Sequence, residues 1–277
     1  MSSLSTPAIL LRTINYGEAD RVVTLLGRST GRLSALARGA RKSQKRFGGG
    51  LGLCSIGEAG LRERNGAELL TLERFDLEES YGSFATDIAR MAHAAYVAEL
   101  VSKLCAPRQA EEAVYDWLRA FLTALDREGA SAETLRVFEL GLLTRLGFGP
   151  MVDSCAVCGG ARFPPGAAAS DVAFRWDPSR GGAVCGACGQ KGRPVRPVVM
   201  AALRRLAAPD APATMTCAPA RLPDDVNRGC RDAIFEIIKL HIAGPLHSLE
   251  FIAKLAKAGQ SEYAAAPAKI ALPGEQE

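Results

Sequence analysis

A chain of 277 residues, 48% hydrophobic and 23% charged, has the composition of a soluble globular protein with a sizeable core, as one large domain or two to three small ones. No run of about 18 apolar residues exists to cross a membrane as a helix, and Met1–Pro7 lacks the basic start of a secretory signal. The formal charge of +4 is small but unevenly placed: Arg21 through Gly57 carry eight Lys or Arg residues and no Asp or Glu, which suggests a polyanion partner.

The first part of the chain reads as strands. Ala8–Ile14 is a β-type run closed by a turn at Asn15 and Gly17. Arg21–Leu26 follows, then a turn over residues 27–31, and Arg32–Ala37 alternates like a half-buried strand. Leu51–Arg64 reads as one long bent strand with Gly52, Gly57 and Gly60 inside it. Asn65-Gly66 is a hairpin signal, and Leu69–Phe75 returns antiparallel. Five strands with interior glycines predict a small OB-type β-barrel over residues 1–80, an SH3-like barrel having a similar strand count. Between the third and fourth strands lies an acid-free loop with five cations in nine residues. Arg38, Arg41, Lys42, Lys45 and Arg46 are candidate contacts to the phosphates of a polyanion, the alternative being a solvated surface loop. Phe47 is a candidate base-stacking ring, or equally an anchor of the loop on the barrel.

From Ser83 the period becomes helical. Ser83 caps a helix to about Leu104 with Asp87 in its first turn. A second helix spans about Glu111–Leu125, with an apolar stripe of Val114, Trp117, Leu118, Phe121, Leu122 and Leu125. A third, about Glu133–Leu146, is apolar on several sides and reads as the buried centre of a bundle, stopped by Gly147, Gly149 and Pro150. These helices make residues 81–150 the first part of a helical bundle. The helical period resumes at Met200, Leu203 and Leu206, pauses over a proline-rich stretch, and returns from Asp224 to His241 and from Ser248 to Lys257. Residues 196–260 are the bundle's second part, and residues 261–277 a disordered tail.

Between the two parts, over residues 151–195, lie Cys155-Ala156-Val157-Cys158-Gly159 and Cys185-Gly186-Ala187-Cys188-Gly189. A two-residue gap lets both thiolates of a pair reach one ion, and the following glycine lets backbone N–H groups turn toward the sulfurs. Cys155, Cys158, Cys185 and Cys188 predict one structural Zn2+, closed to substrate by its fourth thiolate. A nucleobase deaminase would need an H-x-E before the cysteines, and none of His93, His241 and His247 has Glu two residues on. Asp177–Gly182 reads as a hairpin turn between Val172–Trp176 and Ala183-Val184, giving a zinc ribbon. Cys54, Cys105, Cys217 and Cys230 have no matching spacing and read as buried thiols that suit a reducing cytoplasm. No Ser/His/Asp set, P-loop or paired-carboxylate spacing is found, so no enzyme is predicted.

The order of barrel, bundle and inserted zinc ribbon is similar to that of the bacterial RecO family of DNA repair and recombination mediators. The resemblance rests on Gly39-Ala40-Arg41-Lys42-Ser43 with Arg46-Phe47-Gly48-Gly49, on Phe138-Glu139-Leu140-Gly141-Leu142-Leu143, on Leu146-Gly147-Phe148-Gly149-Pro150 leading into Cys155, and on Trp176-Asp177-Pro178 before Gly181-Gly182. It covers about residues 7–258. It implies an OB fold that binds single- and double-stranded DNA, annealing of complementary strands, and loading of RecA with RecR onto DNA coated by single-strand-binding protein (SSB). It also implies binding of the SSB C-terminal tail, a cytoplasmic, nucleoid-associated location, and no membrane or small-molecule substrate. Few aromatics lie near the barrel (Tyr16, Phe47, Phe75 and Phe84), which suits backbone binding better than base stacking. The alternatives are a zinc-ribbon scaffold acting only through protein–protein contacts, and an unrecognised hydrolase.

Overall fold

The computed structural model describes residues 3–47, 51–63, 69–160, 174–189, 191–207 and 221–257. Five strands form a closed barrel: β1 (Ser3–Tyr16), β2 (Asp20–Gly27), β3 (Gly31–Ala37), β4 (Ile56–Arg62) and β5 (Leu70–Glu79), in the order β1-β2-β3-β5-β4. β4 closes the ring antiparallel to β1, and β3 and β5 are the one parallel pair. Alternation explains the interior: Ala8, Leu10, Val23, Leu25, Leu33, Ala35, Ala59, Leu61, Leu72 and Phe75 fill it. The unbroken apolar run Ala8–Leu11 has a second cause. Ile9 and Leu11 face outward and pack into the helical core, together with Leu26, Cys54 and Ile56. Both faces of the strand are buried there.

The fourth strand begins later than its sequence suggests. Residues 51–55 turn instead, with Cys54 in the left-handed region (φ 61°). The turn is pinned to β1 by Cys54 N–H to Leu10 O and Leu10 N–H to Ser55 O, at 2.8 and 2.9 Å. The bend expected of Gly57 and Gly60 is present as irregular register against β5. A Cβ on Gly57 would lie 2.3 Å from Asp76 O, so the strands can cross this closely only at glycine. The Asn65-Gly66 turn lies outside the described residues.

The helical body holds α2 (Ser83–Thr86), α3 (Ile88–Leu104), α4 (Glu112–Glu128) and α5 (Ala132–Arg145). Asp87 is not in a first turn. It caps α3, accepting from Ala89 N and Arg90 N, and so cuts the expected single helix from Ser83 in two. α5 is buried over most of its length, the bundle centre that its sequence suggests. Trp117 of α4 lies on Gly141, where a Cβ would meet the indole at 2.3 Å, and its Nε1 donates to Phe138 O at 3.1 Å. The buried Glu139 carboxylate accepts from Tyr96 Oη at 2.7 Å and pairs with Arg136 at 3.1 Å.

The inserted element is a three-stranded sheet in the order β7-β6-β8, formed by β6 (Phe174–Asp177), β7 (Gly182–Cys185) and β8 (Arg193–Pro194). The hairpin is present, with β8 added on its far edge. It sits on α7 (Asp224–His241) through Trp176, whose Nε1 donates to Ala233 O at 3.1 Å. α6 (Pro197–Leu206) and α8 (His247–Lys257) complete the described helices. Cys217, most of the proline-rich stretch and the tail 261–277 lie outside the described residues.

Two of the eight clustered cations belong to the seam between barrel and helices. Arg28 pairs with Asp116 at 3.0 Å, and Arg32 Nε donates to Cys105 O at 2.9 Å. The return bond runs from Arg108 N–H to Arg32 O at 2.9 Å.

Candidate nucleic-acid interface and metal centre

The cationic loop is built, not loose. Gly39 takes φ 63°, a left-handed conformation that glycine adopts without strain, and the N–H groups of Lys42 and Ser43 both turn back onto its carbonyl. α1 (Gln44–Phe47) follows within what the sequence presents as an irregular loop. Phe47 is 2% exposed and plugs one end of the barrel with Ala40 and Leu51. Of its two expected places it occupies the core, and a ring so buried offers no face to a base.

Three hydrogen bonds tie the loop to the β1–β2 turn. Gly39 N–H donates to Asp20 Oδ1 at 2.7 Å, Arg41 N–H to Ala19 O at 3.0 Å, and Arg41 Nη1 to Glu18 O at 3.0 Å. Arg46 reaches back to Arg38 O at 2.7 Å and lies 5.1 Å from the Phe47 ring centroid. Arg38 and Lys42 are exposed and form no ion pair among the described residues. The Lys45 side chain lies outside the described residues. Arg21, Ala40, Arg41, Lys42, Ser43, Phe47 and Leu51 line a cavity of about 150 Å³. Arg21 Nε is buried there without a hydrogen-bond partner. Three cations and a hydroxyl around one opening are a lining whose charge and donors suit an anion, and Arg21 Nε is a donor left to satisfy. Arg21 was missed as part of this loop's site because it comes from β2; only the register Arg21↔Ala37 brings it to the loop's base.

The four cysteines of the insertion converge. Their sulfurs lie within 4.8 Å of one another, with Cys158 and Cys185 at 4.0 Å. That distance is about twice a disulfide bond. It is close to the roughly 3.8 Å edge of a tetrahedron with ligands about 2.3 Å from its centre. Backbone geometry makes the turns: Gly159 N–H donates to Cys155 O and Gly189 N–H to Cys185 O, at 2.8 and 3.1 Å. Cys185 N–H points at Cys155 Sγ, 3.4 Å away. Burial pushes the Cys155 thiol up, but N–H donors from Cys158, Cys185 and Val157 bring it down to about 6. Cys188 is driven the other way, to about 12, first by its hydrogen bond to Cys185. Four thiolates this close cannot ionise together without a cation, so the donor set fits a soft divalent metal.

Two family models match the chain: Recombination protein O N terminal over residues 1–81 and Recombination protein O C terminal over residues 85–250. The chain belongs to the RecO family. It is 39% identical over 250 residues to the DNA repair protein RecO of Anaeromyxobacter sp. (strain Fw109-5), covering 90% of this chain and 95% of that protein. To the DNA repair protein RecO of Myxococcus xanthus (strain DK1622) it is 33% identical over 92% of this chain and 99% of the relative. To that of Geobacter sulfurreducens it is 32% identical over the same shares. Within this RecO-family chain the two sites lie on different elements, the cationic cavity on the barrel and the thiol cluster on the inserted sheet element. No helix among the described residues is long and apolar enough to cross a membrane.

Proposed function

We propose that this protein is a DNA-binding mediator of recombinational repair whose barrel, of OB topology, holds DNA by its phosphates. The observation that carries the reading is the cavity at the plugged end of the barrel, ringed by Arg21, Arg41 and Lys42 in a segment without a single acid. Arg38 and Arg46 extend the positive surface along the loop, with Lys45 assigned to it from sequence. Phosphate contacts hold a strand without reading its bases, which leaves the base edges free to find a complement. The family adds the rest of the proposal: binding of single- and double-stranded DNA, strand annealing, contact with RecR and the SSB tail, and help in loading RecA. The domain limits read from the sequence, 1–80 for the barrel and 151–195 for the insertion, are part of it. Cys155, Cys158, Cys185 and Cys188 would hold one zinc ion. With four thiolates and no open position, zinc there would cross-link the insertion and supply no catalysis.

The test is the salt dependence of single-strand binding. Each phosphate neutralised contributes about −0.7 to the slope of log K against log[salt]. Arg41→Ala with Lys42→Ala should flatten the slope by about 1.4 and weaken all sequences alike. Strand annealing with and without SSB should fall in parallel. An unchanged slope would remove the loop from the DNA site, and the absence of any nucleic-acid mobility shift would favour a scaffold acting through protein contacts.

A further inference from the structure

Of the aromatic rings in or near the barrel, Phe47, Phe75 and Phe84 are buried and Tyr81 is half-buried against the helical core. Tyr16 is the exception: at 60% it is the most exposed large apolar side chain among the described residues. It ends β1, opposite Asp20 of β2. Its neighbours follow from register. Arg12, Ile14 and Tyr16 are alternate residues of one strand and share its outer face. Ile14 lies opposite Val22, and Val22 opposite Leu36. Ile14 is 43% exposed, and Val22 and Leu36 are only half-buried. None of these three packs into the helical core, which takes Ile9, Leu11 and Leu26 from the same sheet.

This outer face is therefore an apolar strip edged by cations. Arg12 stands at one end, exposed, and Arg38 follows the last residue of β3; neither forms an ion pair among the described residues. Asp20 is engaged by Gly39 N–H, and Glu18 at the turn is the exposed acid nearby. The strip and the cationic cavity lie on opposite faces of the sheet and meet at the β1–β2 turn. Asn15, one position before Tyr16, is the register partner of Arg21, and the turn after Tyr16 is fastened to Gly39 and Arg41.

We propose that the outer face of β1–β3 is a nucleobase platform on which an unpaired base of single-stranded DNA stacks against Tyr16, beside the phosphates held by the loop. The flanking arginines decide the occupant. An apolar strip bordered by cations without ion pairs, and meeting a cationic loop at the β1–β2 turn, complements a chain of bases with an anionic backbone. Stacking occupies the face of a base and leaves its pairing edge open, so the platform is compatible with annealing. In a duplex the faces are already stacked, so Tyr16 favours single strands over double strands. This inference rests on the phosphate-binding reading of the loop and extends it to the bases.

The test uses the full chain with a thymidine oligonucleotide and an abasic oligonucleotide of the same length. Wild type should bind the thymidine strand more tightly. Tyr16→Ala should lose about 5- to 150-fold on it and bind both strands alike, with the salt slope unchanged. Tyr16→Phe should keep the preference, because it keeps the ring, and unchanged melting temperatures would show both variants folded. The loop is tested separately: Arg41→Ala with Lys42→Ala flattens the salt slope on either oligonucleotide. Equal affinity of wild type for the two strands, or a Tyr16→Ala variant with full thymidine preference, would overturn the platform while leaving the phosphate site standing. Intact DNA binding by Tyr16→Ala with loss of RecR association would assign the face to a protein and overturn it as well.

Discussion

His93 shows what burial does to a single ionisable residue. It is buried in α3, and desolvation, aided by the charge of Arg136 and opposed by Asp87, lowers its pKa from 6.5 to about 3. The folded state keeps the imidazole neutral while the unfolded chain takes up a proton below about 6.5. Stability from this group is full above that value and falls as pH drops toward 3, by about 1.4 kcal/mol per unit. Denaturant melts at pH 7 and 5 should show a larger acid loss in wild type than in His93→Gln; equal losses would refute the assignment. The thiols make the other residue-scale prediction. Cys155→Ser or Cys188→Ser should remove bound zinc and lower the melting temperature, with the barrel's DNA affinity retained. Full thermal stability in purified protein free of zinc by elemental analysis would refute a structural metal.

At the scale of elements, the contact between α4 and α5 depends on one missing side chain. The Gly141 position was legible as part of a family motif, but its reason was not. The Trp117 ring occupies the space that a Cβ would need, and the Arg145 guanidinium lies over the ring, 3.9 Å from its centroid. Gly141→Ala must push the indole away or separate the helices. The expected cost is about 1–3 kcal/mol by overpacking, less the small gain in helix propensity. Thermal melts should show it, with a shifted tryptophan emission; an unchanged melt would mean that the indole moves freely. The short helix α1 teaches the opposite lesson. Its sequence is cationic and reads as loop, yet Phe47 folds it down because the barrel end needs a plug.

At the scale of the molecule, the cations between Arg21 and Gly57 divide into two sets. Of the seven whose side chains are described, Arg28 and Arg32 join the barrel to the helices, whereas Arg21, Arg41 and Lys42 line the cavity and Arg38 and Arg46 stand on its loop. Arg28→Ala should leave the salt slope of DNA binding as in wild type, since its guanidinium is engaged by Asp116. Its melting temperature should also stay close to that of wild type, because the pair is exposed. A flattened slope in Arg28→Ala would show that the seam itself binds DNA.

Periodicity, glycine placement and cysteine spacing by themselves determined much of this protein. Strands, helices and the two CxxC pairs are local patterns, written in residues within about ten positions of each other, and they carried the order of parts and the four converging thiols. Contacts between distant residues were decided only by the tertiary structure. No local signal tells that Arg28 meets Asp116 while Arg21 meets the loop, because both are arginines on one strand or its turn. Nor does any tell that Phe47 is buried and Tyr16 exposed. A ring's burial depends on whether closure of the barrel leaves a hole to fill or an outer face to cover, and closure is a property of all five strands together.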